Sequence, residues 1–196
     1  EFMEKQGGGE TVDGLQKLLN SGLEQLDRCL EIIEKFDAKN SVIGESRRTR
    51  VALDEVLNDV LEVSRLKIRE SRVAVELTAH LQACTIEGDR IQLFRALNNI
   101  AVNALEAMQE TGGNLEISCN AKGKFSEVRI ADDGPGIPAD RLSKIFKSQY
   151  TTKERSPAGL GLSIAKRVID DHEGDIQVSS VAGKGTTFTI QLPGAP

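Results

Sequence analysis

The sequence predicts a two-layer α+β fold: a mixed sheet of about five strands covered by three helices, preceded by a helical-hairpin or coiled-coil segment. Three observations predict it. Apolar residues in the first part of the chain recur at alternating steps of three and four. From about Val73 the period switches to two, and short runs suited to strands return along the rest of the chain. Helical patterns with recognisable starts and stops separate those runs.

Residues 1–9 read as a lead-in. Glu1-Phe2-Met3 has the look of a cloning remnant, the chain reads as an excised fragment, and Gly7-Gly8-Gly9 has a linker composition. Residues 10–70 read as a helical segment. Val12, Leu15, Leu19, Gly22, Leu26, Cys29, Ile33 and Phe36 form a heptad seam, which needs either a second helix of its own chain or a second copy. A second helix from Val51 to Ile68, with Val56, Leu57, Val60, Leu61 and Val63, is available after a bend at Asn40-Ser41 and Gly44.

Residues 71–196 read as the sheet domain. Val73–Leu77 is its first strand. Gly88-Asp89 caps a helix from about Arg90 to Glu110, and Gly112-Gly113 stops it. Leu93, Leu97, Ile100, Ala104 and Met108 make its apolar stripe. Strands Leu115–Asn120 and Glu127–Ala131 meet at a turn containing Gly123. Ala139–Phe146 is a short helix after Pro138, Lys147–Ala158 a polar loop, and Leu160–His172 a helix. Gln177–Val181 and Thr186–Leu192 close the sheet around Gly183-Lys184-Gly185.

Composition narrows the functions. A length of 196 residues suffices for one good core and a smaller appendage. A net charge of −5 argues against a general nucleic-acid binder. No apolar run nears the roughly 20 residues of a membrane span and no signal peptide is visible. A cytoplasmic setting is expected, whether or not the parent protein is membrane-anchored. Cys29, Cys84 and Cys119 lack metal or redox spacing and read as reduced, small apolar residues. His80 and His172 lack partners at metal or triad spacing and read as surface or capping residues.

Four short motifs, in order, point to a nucleotide pocket: Asn99–Ala104, Asp132–Ile137, Gly159–Leu162 and Gly183-Lys184-Gly185-Thr186. Asn99 and Asn103 lie four apart on one face of an otherwise apolar helix, where buried amides need partners. The amide oxygen of Asn103 is a hard ligand suited to Mg²⁺. Asp132 ends a strand before Asp133-Gly134-Pro135-Gly136-Ile137. A carboxylate there can accept a hydrogen bond from an exocyclic amine such as that of adenine, while Gly134 and Gly136 leave room for a flat ring. Gly159-Leu160-Gly161-Leu162 opens a helix whose free N–H groups and dipole attract phosphate. Lys153, in Thr151-Thr152-Lys153, can reach a terminal phosphate. Phe146 reads as packing.

With these residues in place, Val73 to Pro193 resembles the ATP-binding catalytic domain of bacterial sensor histidine kinases, a fold shared with DNA gyrase, the MutL mismatch-repair ATPases and the heat-shock chaperone ATPases. Asn99-x-x-x-Asn103-Ala104 resembles the family's N box. Asp132-x-Gly134-x-Gly136-Ile137 resembles its first glycine box. Ile145-Phe146 through Thr151-Thr152-Lys153 resembles the Phe box and the start of the ATP lid. Gly159-x-Gly161-Leu162 resembles the second glycine box, and Gly183-Lys184-Gly185-Thr186-x-Phe188 the C-terminal strand motif. The resemblance implies ATP and Mg²⁺ as cofactors, adenine on Asp132 and the metal on Asn103. It extends the nucleotide site to Thr151, Thr152, Lys153, Gly159, Leu160, Gly161, Leu162 and Thr186. It further implies transfer of the γ-phosphoryl to a histidine, relay to a response regulator in a two-component system, and a homodimer through the N-terminal helices.

Residues 10–70 resemble the dimerisation module only weakly, because no histidine precedes His80. The acceptor is therefore missing, and this chain is expected not to phosphorylate itself. Pro157, and Ser148-Gln149-Tyr150, depart from the usual lid. Hydrolysing relatives carry a glutamate as general base four residues before the metal-binding asparagine. Here that position is Asn99, whose amide cannot take a proton from water, so a kinase is favoured over a dedicated ATPase. Two other readings stay open: a serine kinase of the anti-sigma type, and a non-catalytic, nucleotide-regulated dimerisation module.

Overall fold

A computed structural model describes residues 48–79, 84–147 and 161–195. In chain order the elements are β1 (Thr49–Ala52), α1 (Leu53–Ser71), β2 (Val73–Ala79), β3 (Thr85–Gly88), α2 (Arg90–Ala107), β4 (Gly113–Lys122), β5 (Phe125–Asp132), α3 (Ala139–Leu142), α4 (Gly161–Asp171), β6 (Asp175–Val181) and β7 (Gly185–Pro193). A five-stranded sheet has the order β2-β4-β5-β7-β6. The β2–β4 pair is parallel and the other pairs are antiparallel. Parallel neighbours need a crossover, and α2 lies within the one between β2 and β4. The predicted α+β fold with its mixed sheet is thus present.

Register explains where the core sits. Leu77, Ile117, Ile130, Phe188 and Val178 form one row across all five strands. Cys119, Val128, Ile190 and Ile176 form the next row, and all four are buried. Side chains two apart on a strand share a face, so Val128, Ile130 and Asp132 point the same way. Asp132 stands in a row with Leu115, Thr186 and Ser180. The core-facing surface therefore turns polar at the end of β5. The five residues of the α2 stripe, Leu93, Leu97, Ile100, Ala104 and Met108, are all buried. Cys84 and Cys119 are free and buried, as expected of small apolar residues. Burial, with Cys84 alongside, pushes the Cys119 thiol well above its ordinary range.

Three differences from the sequence reading have physical causes. Residues 49–52 form a strand, so the helix read from Val51 begins at Leu53, because 49–52 pair antiparallel with β3, from Thr49 opposite Gly88 to Ala52 opposite Thr85. No local pattern announces a pairing across so long a separation. The short helix after Pro138 ends at Leu142 and continues to Phe146 as turns. Last, α1 is not part of a separate helical segment. Its Leu53, Val56, Leu57 and Val60 are completely buried in the same core as α2 and the sheet, within the compact unit Ser46–Pro196. Its apolar face is covered by its own domain. The heptad seam, the bend after it and His80 lie outside the described residues. No helix among the described residues is long and apolar enough to cross a membrane.

The place of α1 in the core is testable. Val60→Ala removes two buried methyl groups and should cost about 2 kcal/mol, at roughly 0.8 kcal/mol per group plus a cavity contribution. Urea unfolding with an unchanged m-value would read this directly. A loss below about 0.5 kcal/mol, the range of ordinary surface substitutions, would place Val60 outside the core.

Candidate nucleotide site

The site begins at the end of β5. Asp132 is partly buried, and its Oδ1 accepts two backbone hydrogen bonds, from Gly134 N at 3.0 Å and Thr186 N at 3.2 Å. Its Oδ2 has no hydrogen-bond partner among the described residues. One oxygen is thus committed to holding the loop, and the other is free to accept from a ligand. Burial pushes the Asp132 carboxyl above the usual aspartate range, although both N–H groups pull it down; the neighbouring Asp133 adds to the rise.

Asp133 does a different job. Asn114 donates to it twice, from its backbone N at 2.7 Å and from Nδ2 at 2.6 Å. Those bonds hold the exposed Asp133 carboxyl below the usual range. They tie the glycine loop to the start of β4. The sequence offered no sign of this, because Asp-Gly reads simply as a turn.

The loop is clamped from a second side. Ile137 N donates to Ser180 Oγ at 2.7 Å, and Gly183 N donates to the Pro135 carbonyl at 2.8 Å. Ser180 Oγ also lies 3.0 Å from Thr186 Oγ1. Gly136 has φ +67°, and a Cβ there would run into the Val181 carbonyl. A Cβ on Gly185 would run into the Asp132 carbonyl. On Gly134 it would meet Asp132 Oδ1 and Met108 Cγ, both at 3.0 Å. Gly136 and Gly185 therefore let backbone approach backbone, and Gly134 lets the loop approach the Asp132 and Met108 side chains. Ser180 is not singled out by the sequence, and Met108 only as a member of the apolar stripe of α2. Their importance comes from register and from the close approach of Gly134 to the end of α2.

The helix face completes the arrangement. Asn99 Nδ2 donates to the Gly161 carbonyl at 3.2 Å, which joins the N box to the start of α4. Asn99, Asn103 and Ala107 recur at steps of four on α2, so they span about 12 Å along one face at 1.5 Å per residue. The Asn99 end meets Gly161, and Ala107 lies beside Gly134. Asn103 stands between them, partly buried, with no hydrogen-bond partner among the described residues. A ligand along this face would have the free Asp132 oxygen at one end and the α4 N-terminus at the other.

For Mg²⁺ the described residues hold no cluster of three or more His, Cys, Asp or Glu. The unpartnered amide of Asn103 supplies one hard oxygen instead. That fits an ion which takes most of its shell from water and phosphate. Phe146 meets Phe188 edge-on with centroids 6.3 Å apart, as expected of a packing residue, whereas Leu162, expected at the nucleotide site, is packed against the core. Thr151, Thr152, Lys153, Gly159 and Leu160 lie outside the described residues, as do Ser148-Gln149-Tyr150 and Pro157.

Comparison with known proteins names a family for the chain. Residues 88–196 match the family described as "Histidine kinase-, DNA gyrase B-, and HSP90-like ATPase". Sporulation kinase C of Bacillus subtilis (strain 168) is 34% identical over 142 residues, covering 72% of this chain and 33% of that protein. The sensor histidine kinase ZraS of Escherichia coli (strain K12) is 28% identical over 193 residues, covering 98% of this chain and 40% of that protein. The chain thus spans well under half the length of either relative. Among solved structures, the catalytic domain of the histidine kinase ThkA has a TM-score of 0.69 and 30% identity, over 76% of this chain and 96% of that one. The mycobacterial sensor histidine kinase MprB has a TM-score of 0.66 and 30% identity, over 76% and 99%. By the family match and these likenesses, the chain belongs to the histidine kinase-, DNA gyrase B- and HSP90-like ATPase family, as the ATP-binding catalytic domain of a sensor histidine kinase.

Proposed function

We propose that this chain binds Mg-ATP along the α2 face, with adenine on Asp132 Oδ2, the phosphates toward the α4 N-terminus, and Mg²⁺ on Asn103. It would then donate the γ-phosphoryl to a histidine of another polypeptide segment. The observation that carries this reading is the division of labour on Asp132: Oδ1 is used by Gly134 and Thr186, and Oδ2 is left for an amine donor. Thr151, Thr152, Lys153, Gly159 and Leu160 are assigned to the phosphate side on their motifs alone. Asn99 bonds to Gly161 and offers no base for water, which supports transfer to a protein acceptor over hydrolysis. In that step the histidine nitrogen bonds to the γ-phosphorus as the β–γ bridge bond breaks, and ADP leaves.

The acceptor is not in this chain in the family's position, since the two histidines are His80 and His172. Residues 10–45 are assigned as the dimerisation-type segment, and a response regulator is the downstream partner. The solved complex of ThkA with the response regulator TrrA, 25% identical to this chain with a TM-score of 0.72, supports that partner class. Incubation with histidine-bearing helices of the parent protein and γ-labelled ATP should give acid-labile label on those helices. Acid-stable label on a partner would move the reading to a serine kinase. ATP binding without any transfer would move it to a nucleotide-regulated module, the second reading that the missing histidine favours.

A further inference from the structure

His172, expected to be a surface or capping residue, is only 6% exposed. It follows α4 and sits under the start of α2. Its Nε2 lies 2.9 Å from Asp89 N, an obligate donor, so Nε2 is the acceptor. Its Nδ1 lies 2.7 Å from the Val168 carbonyl, an obligate acceptor, so Nδ1 carries the proton. Both bonds together specify one neutral tautomer. The room for the ring comes from Gly88, where a Cβ would come within 2.6 Å of His172 Cδ2.

The partner is not an arbitrary amide. Asp89 is the N-cap of α2, and its Oδ1 accepts from Ile91 N at 2.9 Å and Gln92 N at 3.2 Å. The side chain of Asp89 therefore faces the helix, and its own N–H is left for His172. At the other end of α4, Asn99 Nδ2 holds the Gly161 carbonyl. Thus α4 is attached to α2 at both ends, antiparallel. The intervals 89–99 and 161–172 differ by one residue, so at 1.5 Å per residue each covers about 15–17 Å. The far attachment fixes how far α4 can slide along α2, and so where Gly161 stands against Asn99.

Resting on the ATP-binding reading, we propose that His172 is a positioning residue for the nucleotide site. By holding the N-cap of α2 it keeps the α4 N-terminus in register with the asparagine face. It touches neither nucleotide nor metal. The charged groups around it have other partners. Asp170 pairs with Lys166, while Arg48 donates to the Asp171 carbonyl at 2.7 Å and meets Glu173 Oε1 at 3.4 Å. Asp171 faces Arg167 at 3.9 Å.

The test uses the whole chain, Mg²⁺ and a non-hydrolysable ATP analogue, with affinity by calorimetry and melting temperature measured on each variant. His172→Ala should lower affinity about tenfold, the size of one well-placed buried hydrogen bond. Glutamine can place an oxygen near the Nε2 position, whereas asparagine reaches only the Nδ1 position. His172→Gln should therefore restore affinity to within about threefold of the parent, and His172→Asn should resemble alanine. Ile169→Val, on the same helix but with a side chain that takes part in neither hydrogen bond, should lower the melting temperature and leave affinity unchanged. The proposal is overturned if His172→Asn and His172→Gln both bind like the parent, or if affinity simply follows melting temperature through all four variants. Failure of the unaltered chain to bind the analogue would instead refute the ATP reading itself.

Discussion

Asp132→Asn should lower ATP affinity about a hundredfold without lowering the melting temperature. A hundredfold is about 2.7 kcal/mol, within the range of a hydrogen bond to a charged group. The substitution works through the geometry of one side chain. Gly134 N and Thr186 N both need an acceptor, and Oδ1 now serves them. Asparagine would keep its oxygen there and turn its NH₂ toward the ligand. An adenine amine would then face a donor in place of an acceptor. The fold loses nothing comparable, because the same two backbone bonds survive and a half-buried charge is removed.

The pH dependence has two opposite signs. Burial places the folded Asp132 carboxyl above its unfolded value. Its contribution to stability is therefore greatest below the unfolded value, and falls as the pH rises through the folded one. At neutral pH the ionised group costs stability, a cost that asparagine removes. Nucleotide affinity runs the other way, since the ionised Oδ2 is the better acceptor. It should fall as the pH drops through the raised folded value, and the asparagine variant should lack that step. Calorimetry on both proteins across this range decides. Affinity of Asp132→Asn within about threefold of the parent, well short of one hydrogen bond, would end the adenine assignment.

How legible this was in the sequence varied with the range of the interaction. The five strands of the main sheet and the stripe of α2 were readable because alternation and helical spacing are local. Asp89 was readable as a cap for the same reason. The site residues were readable as types, since a carboxylate at a strand end and paired amides on an apolar face have few structural excuses. Their partners were not. Nothing near Asp132 in sequence points to Thr186, and nothing near Ile137 points to Ser180; both contacts come from the β5–β7–β6 register. The short β1–β3 pair was lost for that reason too. The helix α1 was misassigned because amphipathic spacing says that a face must be buried and not against what.

The glycines of the C-terminal strand motif offer the sharpest structural contrast. Gly183 and Gly185 stand two apart, both with positive φ, at +78° and +101°. By sequence they are equivalent turn glycines. By packing they are opposites, since a Cβ on Gly183 meets nothing within 4 Å, whereas one on Gly185 would collide with the carbonyl of Asp132. Gly183→Ala should therefore cost only the strain of a left-handed backbone, about 1–2 kcal/mol, and leave ATP affinity unchanged. Gly185→Ala adds overpacking against backbone, which cannot swing aside as a side chain can, and should cost about 3–5 kcal/mol in total. The only relief is for the start of β7 to retreat from the end of β5. That movement would break the bond from Thr186 N to Asp132 Oδ1 and free the carboxylate to rotate. Affinity measured well below the melting transition should then fall at least tenfold, as expected when one charge-assisted hydrogen bond is lost from the acceptor's support. If the two variants prove equally stable and bind ATP equally well, close approach at Gly185 is not what holds Asp132 in place. If Gly185→Ala alone loses both, the C-terminal motif acts on the nucleotide through the backbone of Asp132, and not by touching the nucleotide itself.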